Sequence, residues 1–268
     1  MDFNTKAATF QSIEILTVDD FTSIARNSFS CLGWKPYKLK NSKLNETLSL
    51  LGMFYFRISM FYAGVCMLQQ LIYLLLNFGD GNAFLELTNV APCMGFSMLG
   101  LVKIFFVIYW NKNELTVVMA KMNTLFPKNY RDQERYGVRK VLKHLKLVMR
   151  SFSTLYMGLI WLFNLMPIFI SIYLYFADNV IYHKELPYIM WYPFNPLQPI
   201  VFEISYTIVM WGAFTCALSI LSTDLLYCSV LTLLCLLFDI LKMDLQQLNS
   251  KTSKDLKKLI IFHNDLIG

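Results

Sequence analysis

The chain has 268 residues, of which 56% are apolar and only 16% charged, with a mean hydropathy of +0.46; soluble domains run at roughly 45–50% apolar and about 25% charged. Disorder, collagen-like repeats and soluble disulfide frameworks are therefore excluded, and an all-α polytopic membrane protein is expected. The net charge is +6, but the basic residues fall between long apolar runs, with no zinc-finger spacing and no aromatic-basic RNA-binding pattern. A lipid bilayer, not nucleic acid, is the expected partner.

Residues 1–52 have scattered acids and no apolar signal-peptide core, and are expected to form a cytoplasmic N-terminal segment. The first span is expected at about 53–76, followed by the turn segment Asn77–Asn82. The second is expected at about 84–110, interrupted by Pro92 and Lys103. In the connection that follows, Leu115, Val118, Met119, Met122 and Leu125 share one helical face, and Pro127 ends that segment. The third span is expected at about 148–177, with Pro167 inside it, and the loop after it holds Pro187, Pro193, Pro196 and Pro199. The fourth apolar run begins near residue 200. It is too long for one crossing, and Ser222-Thr223-Asp224 is a poor turn, so a single span at about 200–222 is expected to continue as a cytoplasmic extension to 241. Residues 242–268 form a mixed, basic tail.

Charge sets the expected orientation. Lys6, Arg26, Lys35, Lys38, Lys40 and Lys43 precede the first span, and no cation follows it. The second connection carries Lys112, Lys121, Lys128, Arg131, Arg135, Arg139, Lys140, Lys143 and Lys146; the third loop has only Lys184; the tail has Lys242, Lys251, Lys254, Lys257 and Lys258. The positive-inside rule then places the N-terminus, the second connection and the tail in the cytoplasm. Arg57, Lys103 and Arg150 lie near the same side and are expected to snorkel to the headgroups. The sequon Asn45-Glu46-Thr47 falls on the cytoplasmic side and is expected to be silent.

No enzyme, metal site or cofactor is expected. His144, His183 and His263 stand apart; no HExxH, GxSxG, Walker or dinucleotide-binding glycine pattern occurs; and the spans hold no paired carboxylates. Cys31, Cys66, Cys93, Cys216, Cys228 and Cys235 show no CxxC spacing and read as packing residues. A ligand cavity has better support. Pro92 and Pro167 each free a backbone carbonyl, those of Thr88 and Phe163, at matching depth in the outer half of the bundle. Met94, Asn164, Pro167, Tyr206, Met210 and Trp211 are the expected lining, with Gln69 and Gln70 of the first span at the same depth. An apolar, aromatic, Met-rich wall with few polar groups suits a small, mostly apolar molecule.

Three segments carry a family resemblance. Leu186-Pro187-Tyr188-Ile189-Met190-Trp191-Tyr192-Pro193-Phe194-Asn195 resembles the extracellular loop element of insect odorant receptors, with Asn195 where that family often has an acid. The stretch Leu259–Ile267 resembles the short helix before the family's fifth span, and Asp224 within Ser222–Tyr227 resembles its fourth-helix extension. The resemblance implies a seven-span subunit of which four spans are present here, a small volatile odorant as ligand, and a co-receptor partner in a heteromeric ligand-gated cation channel. It also implies a multi-pass place in the plasma membrane of olfactory neuron dendrites. The sequence ends at Gly268, where a fifth span would begin, so the pore-lining last helix lies outside it and no odorant-evoked current is expected from these residues alone. A gustatory receptor of the same superfamily and a small-solute transporter are the competing readings. A transporter would show internal repeats and ionisable groups near the midplane, which these spans lack.

Overall fold

The computed structural model describes residues 15–34, 46–81, 84–178, 184–247 and 253–267. Lys6, Lys35, Lys38, Lys40, Lys43, Asn45, Asn82, His183, Lys251 and Gly268, all singled out from sequence, lie outside the described residues. The helices are α1 (Val18–Cys31), α2 (Glu46–Leu76), α3 (Phe84–Ile104, continued as a π-helical turn at Phe105–Trp110), α4 (Lys112–Leu125), α5 (Tyr130–Arg135), α6 (Val138–Asp178), α7 (Val201–Gln246) and α8 (Ser253–Ile267). Among the described residues there is no strand. Four segments are long and apolar enough to cross a membrane: Leu50–Leu76, Phe84–Val107, Val138–Ala177 and Val201–Gln246. The chain is a multi-pass helical membrane protein.

The fourth run is one uninterrupted helix. At 46 residues and 1.5 Å per residue, α7 is about 69 Å long, roughly twice the hydrocarbon thickness. Ser222 and Thr223, the candidate turn, are fully buried inside it, and the Thr223 hydroxyl donates back to the Ser219 carbonyl at 3.0 Å. The helix runs past Leu241 to Gln246. It is the axis of the molecule: α1, α2, α3, α6 and α8 all pack on it. Close approach is set by small residues. A Cβ on Gly212 of α7 would sit 2.8 Å from the Cys66 sulfur of α2.

At the basic end of the bundle the main core forms. Phe21, Ala25 and Phe29 of α1 meet Leu225, Leu233, Leu236 and Leu237 of α7, Leu142, Leu145 and Met149 of α6, and Met119 and Met122 of α4. Helix α1 forms because its apolar residues recur at helical spacing and because Thr17 and Asp20 cap it. The Thr17 N–H and hydroxyl both donate to Asp20 Oδ2, at 2.7 and 2.9 Å. It ends at Gly33, whose φ of +75° lets the Trp34 N–H return to the Phe29 carbonyl at 3.0 Å. Gln133 of α5 ties the start of α1 in place. Its Nε2 donates to the Leu16 and Pro127 carbonyls (2.7 and 2.8 Å), and its Oε1 accepts the Leu16 N–H at 3.0 Å.

Two expectations are corrected here. Lys103 does not snorkel: its ammonium lies 2.5 Å from Asp224 Oδ1 of α7, an ion pair two-thirds buried on both sides. Val118 does not join the buried face of α4, because only Met119 and Met122 are turned fully into the core, with Leu115 and Leu125 half-buried.

Candidate ligand-binding site

At the other end of the bundle, beside the start of the 184–200 loop, α6 and α7 flank a cavity of about 480 Å³ that is open on one side, where Ile168, Tyr175 and Phe176 are exposed. Pro167, Ile168, Ser171, Tyr175 and Phe176 of α6 form one wall, and Phe202, Glu203 and Tyr206 of α7 form the other, with Glu185 at the rim. The lining is mostly apolar and aromatic, with polar groups at a few points, as in small-molecule sites. The Lys184 ammonium lies 5.1 Å from the Phe202 ring centre and 3.8 Å from Glu203.

Of the residues expected to line a cavity, the structure brings Pro167 and Tyr206 to opposite walls of this one. Asn164 lies one turn deeper and is fully buried. The Tyr206 hydroxyl donates to the Asn164 backbone carbonyl, next to the carbonyl that Pro167 frees. Thus α6 and α7 are pinned just beneath the cavity floor. The Asn164 side chain donates to the Ile160 carbonyl at 2.8 Å, while its Oδ1 is buried and takes no hydrogen bond from a described residue. Met94 and Met210 are half-buried but do not line this cavity. Trp211 turns to α2, where it meets Tyr55 edge-on with ring centres 5.6 Å apart.

The loop is part of the site, which sequence reasoning did not assign. Met190 is buried and the Trp191 N–H donates to the Gln69 carbonyl at 3.2 Å, anchoring the loop to α2. Tyr188 stacks obliquely on Phe163 at 5.2 Å. Its phenol is pushed up from the ordinary range, mainly by burial and then by the Cys93 and Cys216 thiols, with an opposing hydrogen bond from Asn164. Groups from α3, α6 and α7 thus converge under one loop tyrosine. The Tyr192 phenol is raised likewise by burial, with Cys66 and Tyr62 of α2 beside it. The cluster of loop prolines around paired aromatics was the one signal in the sequence for an ordered, inward-folded loop. With no pKa near neutrality, these phenols stay protonated and can act only as hydrogen-bonding groups.

The model of the 7tm odorant receptor family matches residues 83–268, more than half of the chain. The chain is 26% identical over 245 residues to odorant receptor 85c of Drosophila melanogaster, covering 89% of this chain and 62% of that protein. It is 28% identical over 241 residues to odorant receptor 85b of the same species, covering 87% and 59%. Its fold is similar to that of the insect olfactory receptor OR5 from Machilis hrabei in complex with eugenol, with a TM-score of 0.70 at 17% identity over 93% of this chain and 61% of that one. The chain spans about three fifths of the length of these relatives.

Proposed function

The chain belongs to the 7tm odorant receptor family, a family of receptors and not of enzymes, and from that premise we propose that it is the ligand-binding part of an odorant receptor subunit. The observation that carries this reading is the cavity between the Pro167 wall and the Tyr206 wall, with Glu185 of the loop at its rim. Its ligand is a small, volatile, mostly apolar molecule, of the size class to which the eugenol of the OR5 complex belongs. Pro167 and Tyr206 stand on the cavity's two walls, and Asn164 holds Tyr206 from beneath its floor. Met94, Met210 and Trp211 act from the surrounding layer, where they shape the helix spacing on which the cavity depends. In the full-length receptor the subunit joins a co-receptor, and the pair gates a cation channel in the plasma membrane of olfactory neurons.

The test is a dose–response series in cells that express the full-length receptor with its co-receptor. Tyr206→Ala removes a wall of the cavity and the link to Asn164. The concentration for half-maximal current is expected to rise about tenfold or more, which corresponds to roughly 1.4 kcal/mol, at unchanged surface expression. Identical dose–response curves across a broad odorant panel would sink the proposal.

The N-terminus and the α4–α5 region lie in the cytoplasm on this reading. Glu134 is exposed on α5, whereas neighbouring Gln133 is a buried clamp. A cysteine at Glu134 is expected to stay unmodified by an impermeant thiol reagent in intact cells and to react after permeabilisation. Labelling in intact cells would invert the topology.

A further inference from the structure

The basic third of α6 is absorbed by neither the cavity nor the core. It carries Arg139, Lys140, Lys143, Lys146 and Arg150, and no acidic residue occurs from Val138 to Ala177. At about 100° per residue, Arg139, Lys143, Lys146 and Arg150 fall within roughly 60° of arc and form a single ladder. The adjoining face, about 100° round the helix, carries Leu142, Leu145 and Met149 and is buried in the core, so the helix cannot roll to turn the ladder inward. Lys140, Lys143, Lys146 and Arg150 make no ion pair with any described residue. The Arg139 guanidinium lies 5.9 Å from the Tyr130 ring centre.

The position of the ladder is as informative as its charge. Beside the ladder and round the far side of α6, Leu147, Val148, Phe152 and Leu155 are exposed apolar side chains, and from Ser151 to Ala177 α6 carries no charge. Arg150 is the last charged residue before that uncharged stretch and marks its polar boundary. Lipid phosphates lie at that depth, and juxtamembrane Lys and Arg clusters attract anionic headgroups. A lipid with a single phosphate diester at the membrane surface meets only the top rungs. Lys143 lies about 10 Å below Arg150 along the axis and Arg139 about 16 Å. A headgroup with phosphate monoesters on a ring that projects away from the membrane reaches several rungs at once.

We propose that the Lys143–Lys146–Arg150 ladder of α6 is a binding surface for the headgroup of a polyphosphorylated inositol lipid in the adjoining leaflet. The ladder rests on the sidedness of the proposed function only for which leaflet supplies that lipid.

The test uses the purified chain in phosphatidylcholine nanodiscs that contain either phosphatidylinositol bisphosphate or phosphatidylserine at matched total charge. Retained lipid is quantified by mass spectrometry. The wild type is expected to retain the inositol lipid about tenfold better than phosphatidylserine, and Lys143→Gln/Lys146→Gln/Arg150→Gln is expected to abolish that preference. Lys121→Gln/Lys128→Gln, which removes exposed cations elsewhere, is expected to keep it. Helical circular dichroism on heating checks that the variants fold. If the triple variant does not, Lys143→Gln/Lys146→Gln replaces it, with a severalfold loss expected. Equal retention by ladder variant and wild type, equal binding of the two lipids, or displacement by soluble inositol trisphosphate at equal concentration would each overturn the proposal. Nanodiscs expose both membrane faces, so this result is independent of topology, which the Glu134 labelling decides separately.

Discussion

Replacing Phe29 by alanine is expected to cost about 3–5 kcal/mol and to free α1 from the bundle. Phe29 is fully buried, one turn beyond Ala25 and two beyond Phe21, on the face that α1 presents to α7 and α6. The effect is large because of where the contact sits. Within lipid, apolar helix surfaces gain little by leaving the hydrocarbon, so packing there rests on close fit and not on the hydrophobic effect. Leu233, Leu236, Leu237 and Ile240 belong to the part of α7 beyond the length that a bilayer can cover, and there water is the alternative to protein. Helix α1 is their cover. A cavity at Phe29 therefore forfeits transfer free energy and packing together, and leaves the start of α1, clamped by Gln133 at Leu16, as its firmest attachment. Denaturant titration in micelles, with limited proteolysis between α1 and α2 as readout, measures the change. A loss below about 1 kcal/mol would show that α1 is not structurally required.

The second large effect is expected at Lys103 and Asp224. Each side chain is about two-thirds buried, with Nζ and Oδ1 2.5 Å apart. Removing one partner strands a charge between α3 and α7 at the basic end of the membrane helices, where little water replaces the lost contact. A fully buried pair broken in this way costs about 3–5 kcal/mol, and the partial exposure reduces the expectation to about 2 kcal/mol for Lys103→Met or Asp224→Leu. The double variant removes both charges and should recover most of that loss, since methionine and leucine suit an apolar seam between α3 and α7. A double-mutant cycle by thermal unfolding reads the coupling. Additive single effects would mean that the pair contributes nothing to holding the two helices together.

Neither of these two sites was legible in the sequence. The membrane helices were, because their signal is local: about 20 consecutive apolar residues between charged segments identify a span, whatever packs on it. The continuity of α7 was legible for a related reason. Ser222-Thr223-Asp224 has neither glycine nor proline to turn the chain, and both hydroxyls prove to be buried within a helix. Pro167 and Tyr206 were set at one level by counting along two helices read as antiparallel, and both line one cavity.

Rotation about each helix axis was not legible. Depth follows from counting residues, but the direction in which a side chain points depends on which neighbour packs where. Trp211 shares the depth of the site and turns instead to Tyr55 of α2. Lys103 has the position of a snorkelling residue and finds Asp224, distant by 121 residues in sequence. Helix α1 was missed because its Phe, Ala and Val are interleaved with Asp19, Asp20 and Arg26 and carry little net hydropathy; it reads as solvated chain until the uncovered length of α7 is known. Gln133 looked like an ordinary polar loop residue, yet it satisfies the backbone of Leu16 and Pro127 at once. The sequence by itself determined which segments are long and apolar enough to enter the membrane, since transfer from water to hydrocarbon is a property of the residues themselves. Only the tertiary structure decided which faces meet and hence where the cavity opens, because hydrogen bonds, ion pairs and packing depend on two partners at a specific distance and angle.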